Sequence, residues 1–402
     1  MGLKRVRQSI RGGLVSEHGL RSFDHGPLSS ERPGSKGRSM TLLIRYLLRE
    51  HLKVLALCLT GLATIYLMVD FVEKVRKFVS YQATLGSVLW YFVLKLPSIL
   101  FQITPLAILM ASLLTLVILS RNNEITAIRS SGISLYRVAF PFLAVAQLVS
   151  LLMLWANDSV IPKANVRADM IREMQIEHRG PRATFQGNEI WVRLGEQTLM
   201  KGDVADDSSE KLYGISLYRL NNDFTLKEVL HAKELLHTDG QWILVSGVSR
   251  TFDAQGPQAP HPFERLRIPL NQKPEDFTRT IRVNSEDLSL RHLSSYVERL
   301  REDGYNPARY ATDLFGRTAF PFVCLIMALI GTSMSLMETG SRGTSLVKGV
   351  GYSLLIGFLY WAGHSIALAL GRGGVLPPLL AGWAANLLFL SFAGYLFLRV
   401  RQ

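Results

Sequence analysis

The sequence predicts an α-helical membrane protein with six transmembrane helices, three on each side of an inserted β-sandwich or jelly-roll domain. Three observations predict it. Six apolar runs approach or exceed the roughly 20 residues that cross the hydrocarbon core of a bilayer, three before residue 160 and three after residue 313. The stretch between them has no such run and alternates polar and apolar residues over short distances. Lys and Arg, the source of the formal net charge of +13, crowd the N-terminal segment and the short loops beside the runs.

The first 39 residues are rich in Gly, Ser and Arg and lack an apolar run, so they do not read as a cleaved secretory signal. They read as a disordered extension, or as sequence upstream of a true start at Met40. From Met40 the chain continues MTLLIRYLLREHLKV, with Leu42, Leu43, Tyr46 and Leu47 on one helical face and Arg45 and Arg49 toward another. That pattern predicts an interfacial helix on the inner leaflet. The first run, Val54–Val69, is short and gains length from its flanks. Thr84–Ser120 carries only Lys95, and Val138–Asn157 carries no charge. After the gap, Thr318–Met337 and Gly373–Leu398 are uncharged, and Gly349–Gly371 holds only His364.

Orientation follows from the basic residues, which stay on the cytoplasmic side of a membrane. Eleven precede or include Lys53; Arg121, Arg129 and Arg137 follow the second run, Arg342 and Lys348 the fourth, and Arg399 and Arg401 the sixth. Both termini are therefore expected in the cytoplasm and the insert outside, in the periplasm of a bacterium with an outer membrane. The same distribution argues against nucleic acid as a partner, since the basic residues are not interleaved with aromatics on a soluble domain.

The insert reads as strands at Glu189–Leu194, Leu212–Leu220 and Gln241–Val248, separated by turn signals at Gln186–Asn188, Asn221–Asp223, Asp239-Gly240 and Gly256–Pro262. About 120 residues of this kind bury a core without a disulfide or cofactor. Leu290, Leu293, Val297 and Leu300 then recur at helical spacing. The expected organisation is an extension at 1–39, an interfacial helix and three spans at 40–162 with a short helical loop at 121–132, a β domain at 163–287, a connecting helix at 288–313 and three spans at 314–402.

Motifs for chemistry are sparse. The chain has no G-x-x-x-x-G-K-[ST] loop and hence no nucleotide hydrolysis of its own by that route. Nine histidines form no H-E-x-x-H pair, and Cys58 and Cys324 both lie in apolar runs, so neither a metal site nor a cofactor is expected. The reading is a non-enzyme.

Charges in awkward places stand out. Glu73-Lys74-Val75-Arg76-Lys77 follows the first run on the outward side, against the positive-inside tendency. Two readings fit: a solvated helix end with snorkelling side chains, or a landing site for an anionic lipid headgroup, where each cation contributes on the order of 1 kcal/mol. Lys163, Arg167 and Arg172 leave the third run on the same side. Lys95 in the second run costs roughly 2.5–3.5 kcal/mol at mid-bilayer; it snorkels outward or faces a cavity. Asp70 and Lys74 have the i, i+4 spacing of an ion pair. The loop Arg121–Gly132 reads as one or two helical turns ended by glycine, with Glu124 and Ile128 on one face, a suitable peg for a soluble partner.

The chain resembles the permease subunits of the lipopolysaccharide export ABC transporter, the LptF/LptG type, from Met40 to Gln402. The resemblance rests on the three-plus-three layout, IRYLLREHL, the loop NEITAIRSSG and the closing LPPLLAGWAANLLFL. FVEKVRKF, GISLYRLN and LSSYVERLREDGYNPARY are closer to the LptG branch. It implies a half-transporter in the bacterial inner membrane that takes lipopolysaccharide from the outer leaflet and passes it to a periplasmic bridge. The implied partners are a paralogous permease, two copies of a cytoplasmic ATPase, and single-span membrane and periplasmic bridge proteins. Glu124 would be the coupling-helix carboxylate, with Ile128 and Gly132 shaping the peg. Arg76, Lys77 and Arg172 match family lipopolysaccharide contacts. Asp70 and Ser98 depart from positions where the family carries basic residues, with Lys74 and Lys95 as neighbouring substitutes. Two other classes remain as alternatives: a secondary transporter, which predicts mid-membrane charges and repeat symmetry, and a non-transporting assembly protein with a periplasmic binding domain. An ATPase that copurifies discriminates against both.

Overall fold

The computed structural model describes residues 34–177, 184–186, 189–194, 197–202, 204–205, 211–223, 225–238, 241–253, 256–268, 285–302, 304, 306–337 and 346–400. The expected turns at Gly187-Asn188 and Asp239-Gly240 and the cations Arg342 and Arg401 lie outside them. Two compact units are present, Met1–Arg45 and Tyr46–Gln402.

Helix α1 is continuous from Gly34 to Ser80. The interfacial helix expected from Met40 is therefore not a separate element, and residues 34–39 of the expected extension are helical. The physical reason is local: LLIRYLLREHLKVL is built almost entirely of strong helix formers, with no Gly or Pro to break it. Next come α2 (Leu85–Arg121), the short α3 (Glu124–Ser130), α4 (Leu135–Ser159) and α5 (Ile161–Met170), which ends in a π-helical turn at Ile171–Ile176. After the strands, a 3₁₀ turn (Ser285–Asp287) leads to α6 (Leu290–Glu302) and α7 (Ala308–Ala319). A second 3₁₀ turn at Phe320–Phe322 joins α7 to α8 (Val323–Met337), followed by α9 (Leu346–Arg372) and α10 (Pro378–Leu398).

Among the described residues, six helical segments are long and apolar enough to cross a membrane: the α1 stretch Met40–Ser80, α2, α4, α7 with α8, α9 and α10. Of their most apolar windows, 72% is buried in α2 and 67% in α7–α8, against 17% in α1 and 28% in each of α9 and α10. The second and fourth spans thus form the centre, and α1 lies at the periphery. Small residues let the central helices approach: a Cβ on Gly331 of α8 would stand 2.9 Å from the Leu109 carbonyl oxygen of α2. Such close backbone approach is the usual basis of helix association in lipid.

The fourth span is broken on purpose at Phe320-Pro321-Phe322. Pro321 has no N–H to give the Arg317 carbonyl, and Asn157 Nδ2 of α4 donates to that oxygen at 2.9 Å. At the head of the 3₁₀ turn, Asn386 Nδ2 of α10 donates to the Ala319 carbonyl at 2.7 Å. Asn386 Oδ1 accepts from Tyr360 Oη of α9 at 2.7 Å. Both asparagines are buried, so the break is pinned from two sides.

The strands are β1 (Thr184–Gln186), β2 (Glu189–Arg193), β3 (Thr198–Gly202), β4 (Val204–Ala205), β5 (Lys211–Leu220), β6 (Leu226–Thr238), β7 (Gln241–Asp253), β8 (Gly256–Pro257) and β9 (His261–Ile268). They form one antiparallel sheet in the order β1-β2-β3-β5-β6-β7-β8, with β4 on β5 and β9 on β7. This is the inserted β domain expected from the sequence, and helix α6 shares its core: Met200, Ile215, Leu217, Leu230, Trp242 and Leu244 form one buried cluster with Leu293, Tyr296, Val297 and Leu300 of α6. Strand pairing lapses at one level across the long strands, at Gly214 (φ +62°), Lys233 and Ser246 (φ +52°). Irregularities of this kind bend strands and sharpen twist, so the sheet is creased rather than flat.

A polar junction ties the sheet's return chain to the spans. Arg317 donates through Nε and Nη2 to Asn157 Oδ1 at 3.2 and 2.9 Å, through Nη2 to the Asn157 carbonyl at 3.0 Å, and through Nη1 to the carbonyls of Leu288, at 2.8 Å, and Ser285. One turn earlier, the buried Asp313 accepts from Ser285 Oγ at 2.7 Å and from Arg372 Nε at 2.7 Å. Together, α4, α7, α9 and the 285–288 link are held by two side chains of one helix face.

Candidate functional site

Two groups of sequence-predicted residues sit at opposite ends of the spans. At one end, α3 projects between α2 and α4. Its stop is a Schellman motif: the Gly132 N–H donates to Arg129 O at 3.0 Å and the Ile133 N–H to Ile128 O at 3.4 Å. Gly132 has φ +78°, a left-handed conformation that only glycine adopts without strain. Ile125 is buried and roots the turn, while Thr126, Ala127, Arg129 and Ser130 are exposed. Glu124 opens the helix, half-buried; its Oε2 accepts from Tyr46 Oη of α1 at 2.8 Å and its Oε1 from Asn122 Nδ2 at 3.3 Å. Ile128, one turn on, is half-buried.

At the other end, the close of α1, the start of α2 and the π-helical turn meet in an apolar cluster of Phe78, Tyr91, Ala168 and Ile176. Tyr91 is its centre. Lys74 Nζ lies 5.4 Å from the Tyr91 ring centroid and bonds Asp70 at 2.6 and 2.8 Å, the i, i+4 pair read from the sequence. Arg172, in the π-helical turn, pairs with Asp169 at 3.3 Å and Glu177 at 4.0 Å. Burial works against the Arg172 charge, and the fields of Asp169, Tyr91, Glu177 and Glu173 more than offset it, so its pKa is raised above the ordinary guanidinium value.

Arg76 and Lys77 are exposed, and neither is in an ion pair among the described residues. Lys74 and Phe78 define the inward face of α1 here; Arg76, two residues from each, points to the other side. The structure therefore places Lys74 over Tyr91 and ties Arg172 to Asp169 and Glu177, and it leaves Arg76 and Lys77 exposed without an ion pair among the described residues. The departure at Ser98 has a structural use: its Oγ donates to the buried Asn165 Oδ1 of α5 at 2.7 Å.

Residues 45–399, nearly the whole chain, match the family model for the lipopolysaccharide export system permease LptF/LptG. The chain belongs to the LptF/LptG permease family. Similar proteins include the lipopolysaccharide export system permease protein LptG of Escherichia coli (strain K12), 22% identical over 364 residues, which are 89% of this chain and 98% of that protein. LptG of Escherichia coli O6:H1 matches to the same extent. This LptF/LptG chain is thus a multi-pass membrane transport subunit, as the resemblance implied.

Sequence reasoning missed three residues of these sites. Tyr91 sits in an apolar run among other aromatics, and nothing in its neighbours marks it as the ring that Lys74 lies over. Tyr46 was read only as part of an apolar face. Arg317, beside an uncharged run, has its partners 29, 32 and 160 positions away, a distance no local pattern reports.

Proposed function

We propose that this chain is one permease half of an ABC transporter that lifts lipopolysaccharide from the outer leaflet of the bacterial inner membrane and hands it to a periplasmic bridge. ATP is hydrolysed by two copies of a separate cytoplasmic subunit, and a paralogous permease completes the pair. One observation carries this most directly: the α3 peg and the basic cluster occupy opposite ends of the same spans, with the sheet on the cluster's side. A peg far from the lipid-facing end suits a machine whose power arrives from outside the chain. In this reading α3 faces the cytoplasm, where Glu124, Ile128 and Gly132 engage the ATPase, and the sheet lies in the periplasm.

Energetics favour such a division. Exposing one acyl methylene to water costs about 0.8 kcal/mol, so a lipid with several chains cannot be lifted through water by one ATP. The chains stay sheltered between helices of the two permeases and then within the β domain. The poorly buried α1 and α9, with Leu57, Ile65, Met68, Leu355, Phe358 and Trp361 exposed, supply apolar walls for that passage and for the paired permease. Arg76 and Lys77, unpaired among the described residues, take the phosphates; Lys74 and Arg172 add positive charge behind them.

Two experiments test this. In the charge reversal Arg76→Glu with Lys77→Glu, the lipopolysaccharide that copurifies in mild detergent is expected to fall severalfold while basal ATPase activity of the complex persists; export at the normal rate would remove the basic cluster from the pathway. Glu124→Ala is expected to reduce copurifying ATPase subunit. Full recovery of the complex with normal transport would remove the peg.

A further inference from the structure

We infer that Tyr46 is the positioning residue for Glu124 and yokes the α3 peg to the first span. This rests on the reading of α3 as the ATPase contact, and it adds a residue and a mechanical link to it. The phenol of Tyr46 reaches across 78 positions of sequence to place its hydrogen bond on Glu124 Oε2 at 2.8 Å. A bond from a hydroxyl to a carboxylate is of the stronger, charge-assisted kind. It fixes the rotamer of a side chain that opens a helix of seven residues, too short to order itself. Each carboxylate oxygen has two acceptor sites, so Tyr46 and Asn122 occupy one on each oxygen and leave the remainder for an incoming cation. The bond orients Glu124 without consuming it.

The same contact joins two helices that otherwise pack loosely. Helix α1 is the least buried span, and its side-chain attachments to the other spans are spaced along its length. Tyr46 bonds Glu124 at one end, Tyr66 Oη donates to Gln102 Oε1 at 3.1 Å near the middle, and Lys74 lies over Tyr91 toward the other end. A displacement of α3 by a docked partner therefore reaches α1 first through Tyr46. Beyond Lys74 the same helix carries Arg76 and Lys77. A stiff helix fastened at both ends passes movement of the peg to the free cations about 30 residues away, roughly 45 Å at the helical rise.

The test uses the assembled transporter, with Tyr46→Phe, Glu124→Gln and the double variant, each checked for an unchanged thermal midpoint in the same detergent. Tyr46→Phe removes one oxygen and keeps the ring. It is expected to weaken ATPase-subunit binding about tenfold, the size of one hydrogen bond to a charged group, and to lower transport per ATP hydrolysed. The double variant is expected to bind no worse than Glu124→Gln alone, because the phenol acts through the carboxylate. Wild-type binding and coupling in Tyr46→Phe, beside an impaired Glu124→Gln, would overturn the role of Tyr46 and leave the peg standing. Additive losses in the double variant would also overturn it, by showing that Tyr46 acts elsewhere. Wild-type behaviour of Glu124→Gln would overturn the peg and this inference together.

Discussion

Replacing Arg317 with methionine is expected to destabilise the protein by about 3 kcal/mol or more, since each buried acceptor left unsatisfied costs about 1–3 kcal/mol. Four acceptor atoms lose their donor: Asn157 Oδ1 and the carbonyls of Asn157, Ser285 and Leu288. Water does not fill these places freely at the edge of a bilayer. The damage is directional. Asn157 keeps its own bond to the Arg317 carbonyl, so the α7–α8 break survives, while the 285–288 link loses both Arg317 bonds and is held through Ser285 by Asp313. Thermal unfolding in detergent should show a lowered midpoint, and limited proteolysis should cut first between the strands and α6. Arg317→Lys keeps the charge but not the planar fork that serves several acceptors at once, so its loss should be partial. A methionine variant that melts with the wild type would show that the junction does not hold the fold.

A methyl group at position 382 is the second large effect. A Cβ on Gly382 would stand 2.7 Å from the Phe315 carbonyl carbon and Cβ and 2.8 Å from the Gly316 nitrogen. The atoms it meets are largely backbone, which cannot swing aside, so Gly382→Ala must push α10 away from α7. Forced overpacking costs about 1–3 kcal/mol. The shift also reaches Asn386, one turn along, whose bonds to Ala319 O and Tyr360 Oη pin the break. The matched control is Gly394→Ala in the same helix, where no heavy atom lies within 4 Å of the added methyl; helix propensity favours alanine there. Gly382→Ala should melt earlier and yield less folded protein, and Gly394→Ala should equal or exceed the wild type. Equal midpoints for the two variants would mean that α7 and α10 tolerate separation.

Strand β6 shows where local pattern fails. LKEVLHAKELLHT is rich in helix formers, yet it forms a 13-residue strand between β5 and β7. Its neighbours supply both ladders of hydrogen bonds, and burial of Val229, Leu230, Ala232 and Leu235 follows from that placement. Strand preference measures fit to a half-buried pleated surface, and that surface exists only once the other strands are present. By contrast, the strands at Glu189, Leu212 and Gln241 and the apolar stripe of α6 were legible, because their own side chains alternate or repeat at the period of the element.

The sequence by itself determined the six spans, the strand-forming insert, the glycine stop of the peg and the Asp70–Lys74 pair. Each is set by residues within a few positions of one another, through apolar length, periodicity or a single backbone conformation. Only the tertiary structure decided which cations are free and which are already paired. It also decided that the sheet is creased and shares its core with α6, and that Tyr46, Tyr91 and Arg317 hold distant elements together. Those contacts join residues far apart in the chain, and their energy comes from removing polar groups from water only where a partner is waiting.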